Sequence, residues 1–229
     1  MPTQWIQAVK NSHQLTVFAT SSVTKGPWSS VFTNALQEFN RLSGAMQLGV
    51  TFVPPTPSTP APDPSSVTTG TNVKFDTANG SVHEDVLKNK FGQVLSSFTE
   101  NVSGTAMIGL TKPPQWQDDK GQTRQFRAFI YVPATPMVNA GPTGQQIQRG
   151  VGDGVKLFIA VHELIHACGL SNGDHSPESD PDVFVAQPQP LPGATPQGDK
   201  LMLRLQPQVV APPIIISTRT AGLIRSIWT

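Results

Sequence analysis

The chain has 229 residues, with 16 Lys and Arg scattered singly against 15 Asp and Glu, a net charge of +1. That distribution offers no basic stripe to follow a phosphate backbone, so no nucleic-acid partner is expected. One cysteine, Cys168, excludes a disulfide framework and a cysteine-rich structural metal site, and reads as a small buried hydrophobe. Apolar runs such as 157–161 and 214–216 are far too short to span a bilayer. The start, Met1-Pro2-Thr3-Gln4-Trp5, has no charged segment followed by an apolar run. No signal peptide is therefore expected; a soluble monomer is, either cytoplasmic or exported by a leaderless route. With 37% hydrophobic residues the length suffices for one core, so 1–229 reads as a single domain, while 22 prolines and 19 glycines put much of it in loops.

In chain order, residues 15–20 alternate and are β-rich, which predicts a first strand. Trp28, Val31, Phe32, Ala35, Leu36, Phe39 and Leu42 then recur at helical spacing after Gly26-Pro27 and before Gly44, predicting a long amphipathic helix. Residues 46–53 read as a second strand, and the Pro/Ser/Thr-rich stretch 54–66 as an extended surface loop. A third strand is expected at 72–75, a short surface helix at 82–91, and an irregular edge strand at 102–110, where residues are small or β-branched. Residues 126–132 form a more apolar strand, closed by Pro133. A helix over 145–168 follows, loosened in its first half by Gly150, Gly152 and Gly154. Past Gly169 the prolines predict an irregular C-terminal lobe, 170–229, against an N-terminal lobe, 1–169, with residues 220–228 closing the chain as a short helix.

The second half of the 145–168 helix carries His162-Glu163-Leu164-Ile165-His166. Residues four apart share one helical face, so His162 and His166 can present imidazole nitrogens to a single ion. Neutral imidazole suits zinc, and a catalytic zinc keeps three protein ligands and a position for water. Glu163, beside the first ligand, is placed to take a proton from that water and pass it to a leaving amine. Such a pentapeptide also occurs by chance. Here it lies in a run containing Leu157, Phe158, Ile159, Val161, Leu164 and Ile165, where ionisable groups are costly unless they have a role. Gly169 follows where a left-handed residue would end the helix, and three of the chain's five histidines fall between 162 and 175.

On these residues the sequence resembles the metzincin clan of zinc peptidases, whose motif runs H-E-x-x-H-x-x-G-x-x-H ahead of a methionine turn. The order of elements up to the motif helix is also similar to that clan's N-terminal lobe, its matrixin-like members above all. The resemblance implies an α+β, zincin/metzincin-like fold: a twisted, mostly parallel sheet with an antiparallel edge strand, packed on two long helices, and a small irregular C-terminal lobe. It implies a zinc endopeptidase, with His162 and His166 as ligands, Glu163 as general base and Gly169 as turn glycine. The family spacing puts the third histidine at position 172, which is Asn172, a poor ligand. His175, three residues on, is taken as the third metal ligand through an enlarged loop; Asp174 competes, as do Glu178, Asp180 and Asp182. Glu178 would make the arrangement gluzincin-like. Met202 is the candidate for the methionine turn, with a core methionine as the alternative; two residues on stands Arg204, and the only tyrosine, Tyr131, lies upstream.

By the same likeness, an extended protein or peptide substrate pairs along 102–110, with Gly104 and Gly109 on the rim of the cleft. His83 is expected on the surface or at a helix cap. The rival readings are a catalytically inactive zinc-binding interaction module and a peptidase with one narrow target.

Overall fold

In the computed structural model, which describes residues 2–106, 108–118, 120–139, 148–174, 214 and 216–229, α1 (Gln7–Lys10) leads into β1 (Gln14–Ala19). Leu15 and Val17 of β1 are buried and their neighbours less so, as a strand with one face on the core requires. After the single turn α2 (Ser21–Thr24), the expected amphipathic helix is α3 (Ser29–Met46), burying Val31, Phe32, Ala35, Leu36, Phe39 and Leu42. It runs through Gly44 and ends where Gln47 turns left-handed, at φ 53°. The second strand is therefore only β2 (Thr51–Val53), and not 46–53.

Residues 54–66 contain no helix or strand, in keeping with the expected loop. Arg127 fastens that loop, its buried guanidinium donating to the carbonyls of Asp63, Ser66 and Val86. β3 (Val73–Ala78) is the predicted third strand, slightly extended. The predicted helix at 82–91 is a strand pair instead: β4 (Gly80–Lys88) and β5 (Val94–Val102) form an antiparallel hairpin. The turn is set by Asn89, whose side-chain oxygen accepts from the backbone N–H of Phe91 and Gln93. The predicted edge strand at 102–110 is also displaced. β5 stops at Val102, a turn follows, and the edge strand is β6 (Leu110–Lys112).

A small hairpin, β7 (Gln115–Gln117) with β8 (Thr123–Gln125), precedes β9 (Ala128–Pro133). All six residues of β9 are buried, which is why this strand reads as continuously apolar. β10 (Met137–Asn139) pairs antiparallel with β11 (Gln148–Gly150), so the glycine-bearing half of the predicted 145–168 helix is partly strand. The motif helix is α4 (Asp153–Ala167). Near the C-terminus, α5 (Thr218–Trp228) is the expected closing helix, and it buries Ala221, Ile224, Ile227 and Trp228 in the same core as β1 and α3.

The fold is mixed α and β around a five-stranded sheet in the order β2-β1-β3-β9-β6, parallel except for β6. Alternation along the strands splits the chain into layers. Phe75 meets Phe32 of α3 at 5.1 Å between ring centroids, and Phe52 meets Phe39 at 4.7 Å, so the long helices cover one face. On the other face Phe98 of β5 lies edge-on to Phe129 at 5.4 Å and Tyr131 at 6.4 Å, so the β4–β5 hairpin covers that side. Among the described residues no helix is long and apolar enough to cross a membrane.

Candidate metal centre and its base

α4 is held at its C-terminal end by both ends of the chain. Helix-terminal carbonyls lack intrahelical partners; here the Trp5 indole donates to the carbonyl of Ala167 at 3.1 Å and the Trp228 indole to that of Cys168 at 3.0 Å. The Thr3 N–H donates to the carbonyl of Gly169 at 2.8 Å. Gly169 has φ +114°, and a Cβ there would collide with the Thr3 carbonyl oxygen and lie 2.9 Å from Ile227 Cδ1. Glycine is thus demanded at the predicted turn by backbone conformation and by close packing.

That turn brings the carbonyl of Leu170 to 2.8 Å from His166 Nδ1. A carbonyl only accepts, so Nδ1 carries the hydrogen, and in the neutral ring Nε2 carries the lone pair. His162 Nε2 lies 2.9 Å from His166 Nε2, with ring centroids 4.7 Å apart and planes at 58°. Two lone pairs facing one another at this distance repel, so the rings share either a proton, with His162 as donor, or a cation. His166 is 7% exposed, and His162 is half-buried.

Glu163, from the same helical turn, is 1% exposed. Its Oε2 accepts from Thr111 Oγ1 at 2.6 Å, and its carboxylate also accepts from the backbone N–H of Gly109. Burial pushes the carboxyl up to about 7, against the lowering effect of those two hydrogen bonds. At Gly109 the backbone passes close to the acid. A Cβ there would lie 2.8 Å from Glu163 Cγ and 2.9 Å from both Glu163 Oε1 and the Tyr131 carbonyl oxygen. Thr111 and Gly109 thus join the edge strand to the base of the motif.

Of the candidate third ligands, Asp174 is described. It closes the short 3-10 turn Asn172–Asp174, where its Oδ2 accepts from the Ser171 N–H at 2.8 Å and hydroxyl at 2.7 Å. Burial alone would raise its pKa; the bonds from Ser171 are the largest of the opposing interactions that hold it below the ordinary range. His175, Glu178, Asp180, Asp182, Met202 and Arg204 lie outside the described residues. Among the described residues no third His, Cys, Asp or Glu completes a metal-holding group.

Other sequence candidates stand apart from the motif. Tyr131 donates its hydroxyl to Glu84 Oε1 at 2.7 Å, on the hairpin side of the sheet, and burial followed by the Glu84 carboxylate pushes the phenol upward. His83 is exposed on β4, bonded to Thr99 Oγ1 at 2.9 Å; it caps no helix. Cys168 is buried, and burial raises its thiol well above the ordinary value, as expected of an inert core residue. A cleft of about 540 Å³ runs beside the site, bordered by Phe98, Leu110, Lys112, His166, Leu170 and Asn172.

Thr111 is the site residue that sequence reasoning missed. It lies 52 positions from Glu163, and nothing local links a threonine on a three-residue strand to a glutamate on a helix. No protein-family model matches this chain, and no curated protein matches it either.

Proposed function

We propose that this protein is a zinc-dependent endopeptidase of the metzincin type. The observation that carries the reading is the convergence of His162 Nε2 and His166 Nε2 to 2.9 Å beside a buried Glu163. Two nitrogens bound to one tetrahedral zinc at about 2.05 Å would lie about 3.3 Å apart, close to the spacing found. The Leu170 carbonyl fixes the His166 tautomer that ligation needs, as an outer-shell acceptor does at many metal-bound histidines. The donor set therefore fits zinc, with His162 and His166 as ligands and His175 proposed as the third. The mostly parallel sheet, its antiparallel edge strand and the two long helices support the same reading.

Zinc held there would polarise the scissile carbonyl and acidify a water molecule. Glu163, with its pKa near 7, is suited to accept a proton at neutral pH and deliver it to the departing amine. Thr111 and Gly109 hold the carboxylate against β6. β6 ends the sheet order, so its outer edge can pair with an extended substrate; the template is Leu110–Lys112 and not the stretch 102–110. The buried Cys168 offers no nucleophile, which is consistent with attack by water.

Elemental analysis of the purified protein should find about one zinc per chain, and mass spectrometry of a peptide mixture should find cleavage that a chelator abolishes and zinc restores. His166→Ala should lose both metal and cleavage. Cleavage that survives chelation, or stoichiometric zinc with no peptide cut, contradicts the proposal.

A further inference from the structure

We infer that the β4–β5 hairpin forms a side-chain subsite of the cleft, selecting an uncharged apolar residue in an extended peptide paired along β6; this rests on the peptidase reading above. The register carries the inference. Thr111 pairs with Ile130 and turns its hydroxyl to Glu163, so it faces α4. Leu110 and Lys112 pair with Tyr131 and Phe129, the two rings on which Phe98 of the hairpin packs, so they face the opposite way. Side chains along an added strand alternate in the same manner. Substrate residues beside Thr111 point toward α4 and its histidines, whereas those beside Leu110 or Lys112 point toward the hairpin.

Among the described residues the wall they meet there is mostly apolar, and its one charge, on Lys112, is paired. Val86, Phe98, Leu110 and Pro113 line it, and Ser96, exposed and on the same face of β5 as Phe98, leaves space beside the ring. Besides His166, Lys112 is the one ionisable side chain lining the cleft among the described residues, and its ammonium is bound by Glu100. Among the described residues a charged substrate side chain entering this space would lose water without meeting an unpaired counter-ion, while an aliphatic or aromatic one gains burial. The cleft, about 540 Å³, is continuous with His166, which joins this recognition surface to the metal centre. Its size falls within the range of sites that enclose a small ligand.

The test is cleavage profiling of a peptide library with zinc-loaded wild type, Ser96→Trp and Phe98→Ala. In wild type, one substrate position should favour Leu, Met or Phe over Asp, Glu or Lys by at least about tenfold. Ser96→Trp, which fills space at an exposed residue without removing a core contact, should shift that same position toward Ala and Ser and leave the adjoining positions unchanged. Phe98→Ala should weaken the apolar preference at that position. Zinc-dependent cleavage with no apolar preference, or a preference that Ser96→Trp leaves unmoved, overturns the subsite while leaving the peptidase reading intact. Absence of all cleavage overturns both.

Discussion

Glu163 and Glu84 lie on opposite faces of the central sheet, and their surroundings differ in kind. Glu84, on the hairpin side, is 18% exposed, forms an ion pair with Lys74, and accepts from the Tyr131 hydroxyl at 2.7 Å. Lys74 in turn lies 3.4 Å from Asp76, so one ammonium stands between two carboxylates. Glu163, on the helix side, is 1% exposed and receives hydrogen bonds from Thr111 and Gly109, yet among the described residues no Lys or Arg pairs with it. A half-buried carboxylate with a cationic partner anchors structure, here the docking of a hairpin. One without such a partner, raised to about 7, is suited to moving a proton or to meeting a cation that the fold itself does not supply.

The largest expected separation between the two is in stability against pH. Folded Glu163 titrates near 7 against an ordinary 4.5, so between those values the folded metal-free protein holds a proton that the unfolded chain has lost. Its stability should therefore fall as pH rises from about 4.5 to about 7, by about 3 kcal/mol from this residue. Glu163→Gln removes that contribution, so the gap in urea midpoint between variant and wild type should widen in the variant's favour from pH 5 to pH 8. A gap that does not change with pH would show that Glu163 ionises normally. Glu84→Gln should act in the opposite sense. It breaks the ion pair to Lys74 and should cost about 1–3 kcal/mol at neutral pH, with kcat/KM within about threefold of wild type where the protein is folded. A large loss of turnover there would erase the distinction between the two carboxylates. Thr111→Val should lower kcat about tenfold with KM little changed, and Thr111→Ser, which keeps the hydroxyl, should retain most of the rate. Equal losses in both variants would mean that the hydroxyl does not position Glu163.

The two histidines and their glutamate were legible because helical spacing is local: residues 162 and 166 must share a face once the apolar pattern commits the segment to helix. β9 was legible for a related reason, since a strand covered on both faces is apolar throughout. The hairpin was misread as a helix because Val82, Val86 and Leu87 sit four and five residues apart, and a bulge at Val86 interrupts the two-residue alternation that marks a strand. The edge strand was misplaced because Leu110–Lys112 is too short to carry a pattern, while the small residues before it are set by neighbours, Gly109 by Glu163 above all. Contacts such as Thr111 to Glu163, and Trp5 and Trp228 to the end of α4, join distant parts of the chain, so only the fold displays them.

The most direct measurement of the central claim is peptide hydrolysis by Glu163→Gln protein loaded with zinc and compared with wild type at equal metal content. The variant should keep its zinc, because the histidines are untouched, and should lose at least about 100-fold in kcat, within the range for a general base. Full turnover by the zinc-loaded variant would contradict the assignment of Glu163 as the base.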